Sequence, residues 1–327
     1  MLEQLIFQPL KLSSDFLIDE SFNYLPGKRK KINLPTPGII LIPQKDPRDL
    51  FLLPEIVNCV QTTMSFQTSF TKTLHNFHHY LDDCGFFPLE LFSTLKNSLN
   101  VLKIYELFHD FRRANEQLLP SIKISLQQGH HFLLYEGECS PEKLEDIVFS
   151  LVSSSQEERF VFANLSYDYI TASKSKIYIS FSDPFIIRKQ KTREETLQEF
   201  YNRQRQTFTL TPGHLFSYAL FSNDMQAGIS RQYLFYKMNR LANIVYREKT
   251  CNVARECLEY SYDELFAIPL QKAKETGYLT YANKKYMQKP KLTDTFSRWN
   301  IFYKHYYDLK SLLPILDKNW NEVADYD

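Results

Sequence analysis

The stretch from Arg231 to Met287 constrains the fold more than any other part of this 327-residue chain, because its helix starts, stops and turns come in one definite order. Leu234, Met238, Leu241 and Val245, widened by Phe235 and Ala242, make an apolar stripe at helical spacing over Arg231–Arg247, and Ser230 is placed to cap it. Lys237, Arg240 and Arg247 fall on a different face, expected to be solvated. A short second helix is expected from Asn252, with Val253, Ala254, Cys257 and Leu258 inward. Ser261-Tyr262-Asp263-Glu264 carries the Ser-x-x-Glu capping-box pattern and predicts a third helix that ends at Gly277 in a left-handed cap. Pro269 sits inside that helix, where it removes a backbone hydrogen bond and should kink or split it. Tyr278–Tyr281 and Tyr286–Met287 then read as two strands around a turn at Ala282–Lys285.

Helix, short helix, capped helix and basic hairpin is the order of a winged helix-turn-helix. In such a module the third helix enters the major groove and the hairpin lies along the phosphates. Gln271, Lys272 and Lys274 are therefore the candidates for the groove, with Glu275 beside them. Lys284, Lys285, Lys289 and Lys291 are the candidates for neutralising backbone phosphates. The net charge of +1 hides an asymmetry that fits this reading: residues 228–298 hold 13 Lys and Arg against 7 Asp and Glu. A basic C-terminal module on an acidic remainder points to a polyanionic partner. In element order the C-terminal third resembles plasmid replication initiators, whose winged-helix domains bind repeated origin sites. The resemblance implies that the 121–183 region belongs to a second winged or dimerisation domain.

Upstream, residues 1–60 are broken by seven prolines, from Pro9 to Pro54, and are expected as extended segments. Within them, Gly27-Lys28-Arg29-Lys30-Lys31 reads as a solvated basic turn, and Ile39-Ile40-Leu41-Ile42 as a buried strand. Residues 61–183 are expected as helices followed by a small α/β sheet unit. The helical part places Phe66, Phe70, Leu74, Phe77 and Leu81 on one stripe, and a second helix runs from Leu89 to Leu118 until Pro120 stops it. Strands are expected at Ile122–Leu126, His131–Tyr135, Arg159–Phe162 and Lys176–Phe181, with a helix opened by Ser140-Pro141-Glu142 that buries Leu144, Ile147, Val148 and Leu151. Residues 184–212 read as a charged connector, a solvated helix with pairs such as Lys191–Glu195 and Glu199–Arg203. Residues 213–327 form the helical, winged-helix-like module.

Several function classes lose support. Glycine occurs only 8 times, and neither G-x-G-x-x-G nor G-x-x-x-x-G-K-[ST] is present, so a nucleotide-binding α/β enzyme is not expected. G-x-S-x-G is absent as well. The 26 Phe and 21 Tyr are read as an aromatic core rather than a stacking surface. The five cysteines show no C-x-x-C and fit reduced, buried thiols. The start of the chain lacks the pattern of a signal peptide, and no run reaches membrane-span length, so a cytoplasmic location is expected. On a helix, His75, His79 and Asp82 would share one face as a two-His-one-carboxylate metal site, although a surface helix is the favoured reading of that cluster. His130 and His131 are adjacent, so on a strand they face opposite sides and do not make a nickase metal pair.

The sequence therefore predicts an α+β fold, predominantly helical, with a small mixed or antiparallel sheet in the middle and a winged-helix-like C-terminal module. No cofactor or catalytic residue is expected. The leading function is sequence-specific DNA binding of the replication-initiator type. The alternative is a non-enzymatic protein-interaction protein such as a bacterial effector or scaffold, with a protein partner or a homodimer.

Overall fold

Ile39-Ile40-Leu41-Ile42 has no polar side, and a strand of that kind is stable only when sheet neighbours and helices cover both its faces. The computed structural model puts it there: all four residues are fully buried. Described are residues 16–19, 32–43, 56, 60–62, 64, 66–68, 118–135, 141–153, 158–171, 175–188, 191–289 and 300–322. The chain divides into two compact units. Among the described residues, one unit holds those within 26–163 and 181–203, and the other those within 16–25, 164–180 and 204–327.

In the first unit, β1 (Ile39–Ile42) is central. It lies parallel to β3 (His131–Tyr135), which is parallel in turn to β2 (Phe66–Thr68). On its other side β1 pairs in parallel with the first half of β4 (Arg159–Asp168). After β5 (Ser175–Phe181), the short β6 (Phe185–Ile186) returns antiparallel to Arg159 and Phe160. Parallel neighbours need crossovers, and two helices supply apolar faces for them: α1 (Leu118–Gln127) and α2 (Pro141–Ser153). Ile39 and Leu41, Phe132 and Leu134, and Phe160 and Phe162 alternate onto one side. There they join Ile122, Leu126, Leu144, Ile147, Val148, Leu151 and Phe200 in a single core. Phe200 belongs to α3 (Arg193–Thr207), whose start is held reciprocally: Thr192 Oγ1 accepts from the Glu195 amide, and the Glu195 carboxylate accepts from the Thr192 amide.

Three expectations for this unit are corrected. Ile122–Leu126 is helix, not strand; Pro120 lies in the first turn of α1, where a missing N–H costs nothing, and does not stop the helix, while residues 89–117 lie outside the described residues. Phe66–Thr68 is strand, paired with His131–Leu133, and not the start of an amphipathic helix; Phe70, Leu74, Phe77 and Leu81 lie outside the described residues. The sheet is mixed, but larger than expected, since Ile39–Ile42 and Phe66–Thr68 join it from outside 121–183. In α3 the Glu199–Arg203 pair forms at 3.9 Å, whereas Lys191 reaches Glu199 at 2.5 Å rather than Glu195.

The second unit is built around helices. The chain passes through β7 (Thr209–Leu210), α4 (Pro212–Leu220), α5 (Asn223–Ala227) and β8 (Ile229–Ser230) into α6 (Arg231–Arg247). Next come β9 (Asn252–Val253), α7 (Glu256–Glu259), α8 (Tyr262–Leu265) and α9 (Ala267–Glu275). The hairpin β10 (Leu279–Ala282) and β11 (Lys285–Gln288) precedes α10 (Ile301–Asp308) and α11 (Leu313–Glu322). The expected stripe of α6 is fully buried at Leu234, Met238, Leu241 and Val245, and the Ser230 side chain accepts from the Tyr233 amide. Much of the aromatic content goes into the core: Phe266 packs on Phe216, Phe235 and Tyr262 with ring centroids 5.0 to 6.0 Å apart. Cys251 and Cys257 are buried thiols.

Here too the details differ from expectation. Asn252–Val253 is a strand parallel to Thr209–Leu210 instead of a helix start, and its Asn252 side chain also donates to Thr207 O. The single third helix is two helices that meet at Phe266. A continuous helix would set the ring of Pro269 against the Leu265 carbonyl; breaking at Phe266 places Pro269 in the first turn of α9 instead. The capping box at Ser261 does not form, since its side chain makes no cap hydrogen bond. Lys237 is not on a solvated face but 1% exposed, its Nζ 2.5 Å from Asp224 Oδ2 and 4.7 Å from the centre of the Trp320 ring. Gly277 closes α9 with φ 74° as expected. No helix of the described residues is long and apolar enough to cross a membrane.

The hairpin turn gives a direct test. Asn283 and Lys284 both have positive φ, 51° and 63°, the pair that a two-residue primed turn requires. Lysine pays a steric penalty there that glycine does not, so Lys284→Gly is expected to raise stability by about 1 kcal/mol. Thermal unfolding measured beside the parent protein checks this.

Candidate nucleic-acid interface and a buried histidine pair

The residues proposed for nucleic-acid contact lie in the second unit, and the structure separates them. Lys284 and Lys285 are exposed at the hairpin tip, and Lys289 is exposed just after its last strand. A third strand braces that hairpin, because β8 pairs antiparallel with β11, Ile229 opposite Tyr286 and Ser230 opposite Lys285. The resulting sheet has the order β8-β11-β10. Gln271 is exposed on α9 but donates to Glu275 Oε1 at 2.7 Å. Lys272 is half-buried, its Nζ 3.4 Å from the Tyr169 carbonyl oxygen. Lys274 is exposed, with its ammonium 5.3 and 5.1 Å from the Tyr281 and Tyr286 ring centres. Lys291 lies outside the described residues, as do His75, His79 and Asp82.

What sequence reading missed is a buried polar cluster at the start of α4. Asp168, at the end of β4, is 1% exposed. Its Oδ1 accepts from the amides of Ile170 and Thr171, both at 3.1 Å, and its Oδ2 accepts from the Gly213 amide at 2.8 Å. The carboxylate thus caps the N-terminus of α4 and turns the chain that leaves β4. Gly213 is needed for this approach, since a Cβ there would stand 2.7 Å from Asp168 Oδ1. Thr211 and His214 complete the cap: the Thr211 hydroxyl accepts from the His214 amide at 3.2 Å, and His214 Nδ1 accepts from the Thr211 amide at 3.3 Å. The signal was present as Thr211-Pro212-Gly213-His214, an N-cap threonine before a first-position proline, with histidine in place of the usual glutamate.

His214 meets His305 of α10 edge to face, ring centroids 4.9 Å apart, and both are fully buried. His214 Nε2 lies 3.6 Å from Asp308 Oδ2. His305 Nε2 accepts from the Tyr169 amide at 3.2 Å. Burial first, and the neighbouring His214 second, push the His305 imidazole down to about 3, against a smaller upward pull from Asp168 and Asp308. The ring is therefore neutral near pH 7.

One ligand atom each from His214, His305 and Asp308 lie within 4.8 Å of one another, close enough to raise the question of a metal centre. The hydrogen bonds answer against it. A metal-bound imidazole donates its second ring N–H to an acceptor. His305 instead receives an N–H at Nε2, so a cation on Nδ1 would require an imidazolate whose other nitrogen is already engaged. The cluster fits a neutral His305 packed edge to face on His214, joining α4 to α10 with both rings fully buried. No family model, curated protein or solved structure matches this chain.

Two outcomes follow from the cluster. Asp168→Ala removes the acceptor of three amides, two of them in buried hydrogen bonds, and should cost about 3 kcal/mol of stability in chemical denaturation. The His305 contribution is complete above its unfolded value near 6.5 and is lost as pH falls below that, because the unfolded chain then binds a proton that the folded one refuses. Stability should therefore decline from pH 6.5 downward by up to about 1.4 kcal/mol per pH unit from this group. Replacing His305 with Asn should flatten that part of the profile.

Proposed function

We propose that this protein is a sequence-specific duplex DNA-binding protein of the replication-initiator type, acting in the cytoplasm through a winged-helix-like module in its second unit. The observation that carries the reading is the pairing of β8 with β11. A strand from before the helices joins the last strand of the hairpin; with α4, α6 and α9 this supports a winged-helix reading in which α5, β9, α7 and α8 are additions between the main elements. The hairpin is then the wing. Its tip presents Lys284 and Lys285, and Lys289 follows at its base, all exposed and all able to displace counterions from a phosphate backbone. The surplus of 13 basic over 7 acidic residues in 228–298 supplies the long-range attraction.

The double variant Lys284→Glu, Lys285→Glu should weaken binding to a mixed-sequence 30-base-pair duplex by at least tenfold. The slope of log affinity against log salt should shrink by about 2, one unit for each lost phosphate contact. Fluorescence anisotropy over a salt series reads both quantities. An unchanged slope, or a wild-type protein that ignores duplex DNA, would remove the proposal.

A further inference from the structure

The helix that a winged module conventionally sends into the groove is the last one before the wing, here α9. Its side chains are poorly placed for that work. Gln271 is engaged by Glu275, Lys272 by the Tyr169 carbonyl, and Lys274 by two tyrosine rings. Its other exposed residues are Ala267, Ile268 and Glu275, and the exposed Asp263 and Glu264 of α8 precede it. A helix presented this way meets a polyanion with carboxylates and little free donor capacity.

Helix α6 differs from it in charge. Arg231–Arg247 contains no Asp or Glu in 17 residues. Its buried face is fully occupied by core, so the outward face is free to be polar. That face holds Gln232, Tyr236, Asn239 and Arg247 exposed, and Arg240 and Asn243 half-buried. At 100° per residue these six side chains fall within about one third of the helix circumference, along roughly 22 Å of axis. They are a reading set: asparagine suits the N6/N7 edge of adenine, arginine the O6/N7 edge of guanine, and tyrosine and arginine the phosphates. Part of the face is already ordered, since Asn243 Nδ2 donates to Asn239 O at 2.9 Å and Oδ1 at 3.1 Å, and the Arg240 guanidinium lies 3.5 Å from the Tyr236 hydroxyl. Ser230 at its N-cap pairs with Lys285 of the hairpin, so the helix and the wing are joined through one residue.

We infer that α6, not α9, is the base-reading helix: its Tyr236–Asn239–Arg240–Asn243–Arg247 face enters the major groove of duplex DNA. The inference rests on the DNA-binding reading above and assigns its specificity. Two variants test it. Arg240→Glu with Arg247→Glu should lower affinity for the mixed-sequence duplex at least tenfold. Asn239→Ala with Asn243→Ala should keep that bulk, salt-dependent affinity within about threefold. It should, however, lose the motif that wild-type protein enriches from a pool of random 30-base-pair duplexes. Lys318→Glu, on α11, serves as the charge control, and circular dichroism confirms folding; Arg240→Ala with Arg247→Ala replaces the reversal if that variant unfolds.

The arms separate the two claims. If wild-type protein binds no duplex, both fall, and the α6 face is left to a protein partner. If Lys284→Glu, Lys285→Glu abolishes binding while both α6 variants bind and select as wild type does, the function stands and this inference is overturned. It is also overturned if Gln271→Ala with Lys274→Ala erases the selected motif and the α6 asparagine variant retains it.

Discussion

The buried carboxylate of Asp168 is the interaction on which the second unit depends. It receives three amides, two from its own turn and one from the first turn of α4, and so sets where that helix begins. Everything packed on α4 inherits that position. Phe216 on this helix touches both Phe266 and Phe302, and His214 touches His305. A carboxyl group this deeply enclosed is tolerated because backbone amides satisfy its oxygens, and its loss would leave those donors without their acceptor. The cluster beside it follows the same logic in neutral form at His305, whose Nε2 accepts from the Tyr169 amide, a bond that a protonated ring would lose.

A second enclosed charge has an analogous role. Lys237 lies among Asp224, Tyr233 and Trp320, and the same Asp224 oxygen accepts from the indole N–H at 2.8 Å. One ion pair therefore ties α5, α6 and α11 together. By turning Lys237 inward, and with Arg231 paired to Asp263 at the start of the helix, it leaves Arg240 and Arg247 as the basic residues of the face inferred to meet DNA. The tyrosine–lysine stack at the hairpin has the contrary effect on α9: it fixes Lys274 against its own sheet.

Much of the second unit was legible from local signals. The stripe and cap of α6, the left-handed Gly277 and the hairpin are set by residues within a few positions of one another, where intrinsic preference and periodicity act. The break before Pro269 was legible for the same reason. Less legible were the strands of two or three residues, such as β7, β8 and β9, which exist only because a partner far along the chain supplies their hydrogen bonds. Phe66–Thr68 and Ile122–Leu126 were misassigned on the same ground: each pattern is compatible with helix and strand, and pairing or a first-turn proline decides.

The sequence by itself determined where α6 lies, where the chain turns at Gly277 and at the hairpin, and that Ile39–Ile42 had to be buried, because apolar spacing and backbone sterics act locally. Tertiary structure alone decided which charges face water. Lys237, Asp168, His214 and His305 look like surface residues in a sequence, and what reverses that is burial against distant partners whose dipoles and rings replace solvation. The candidate interface was selected by the same process, since the side chains left pointing outward from α6 are those that the core and the buried ion pair did not claim.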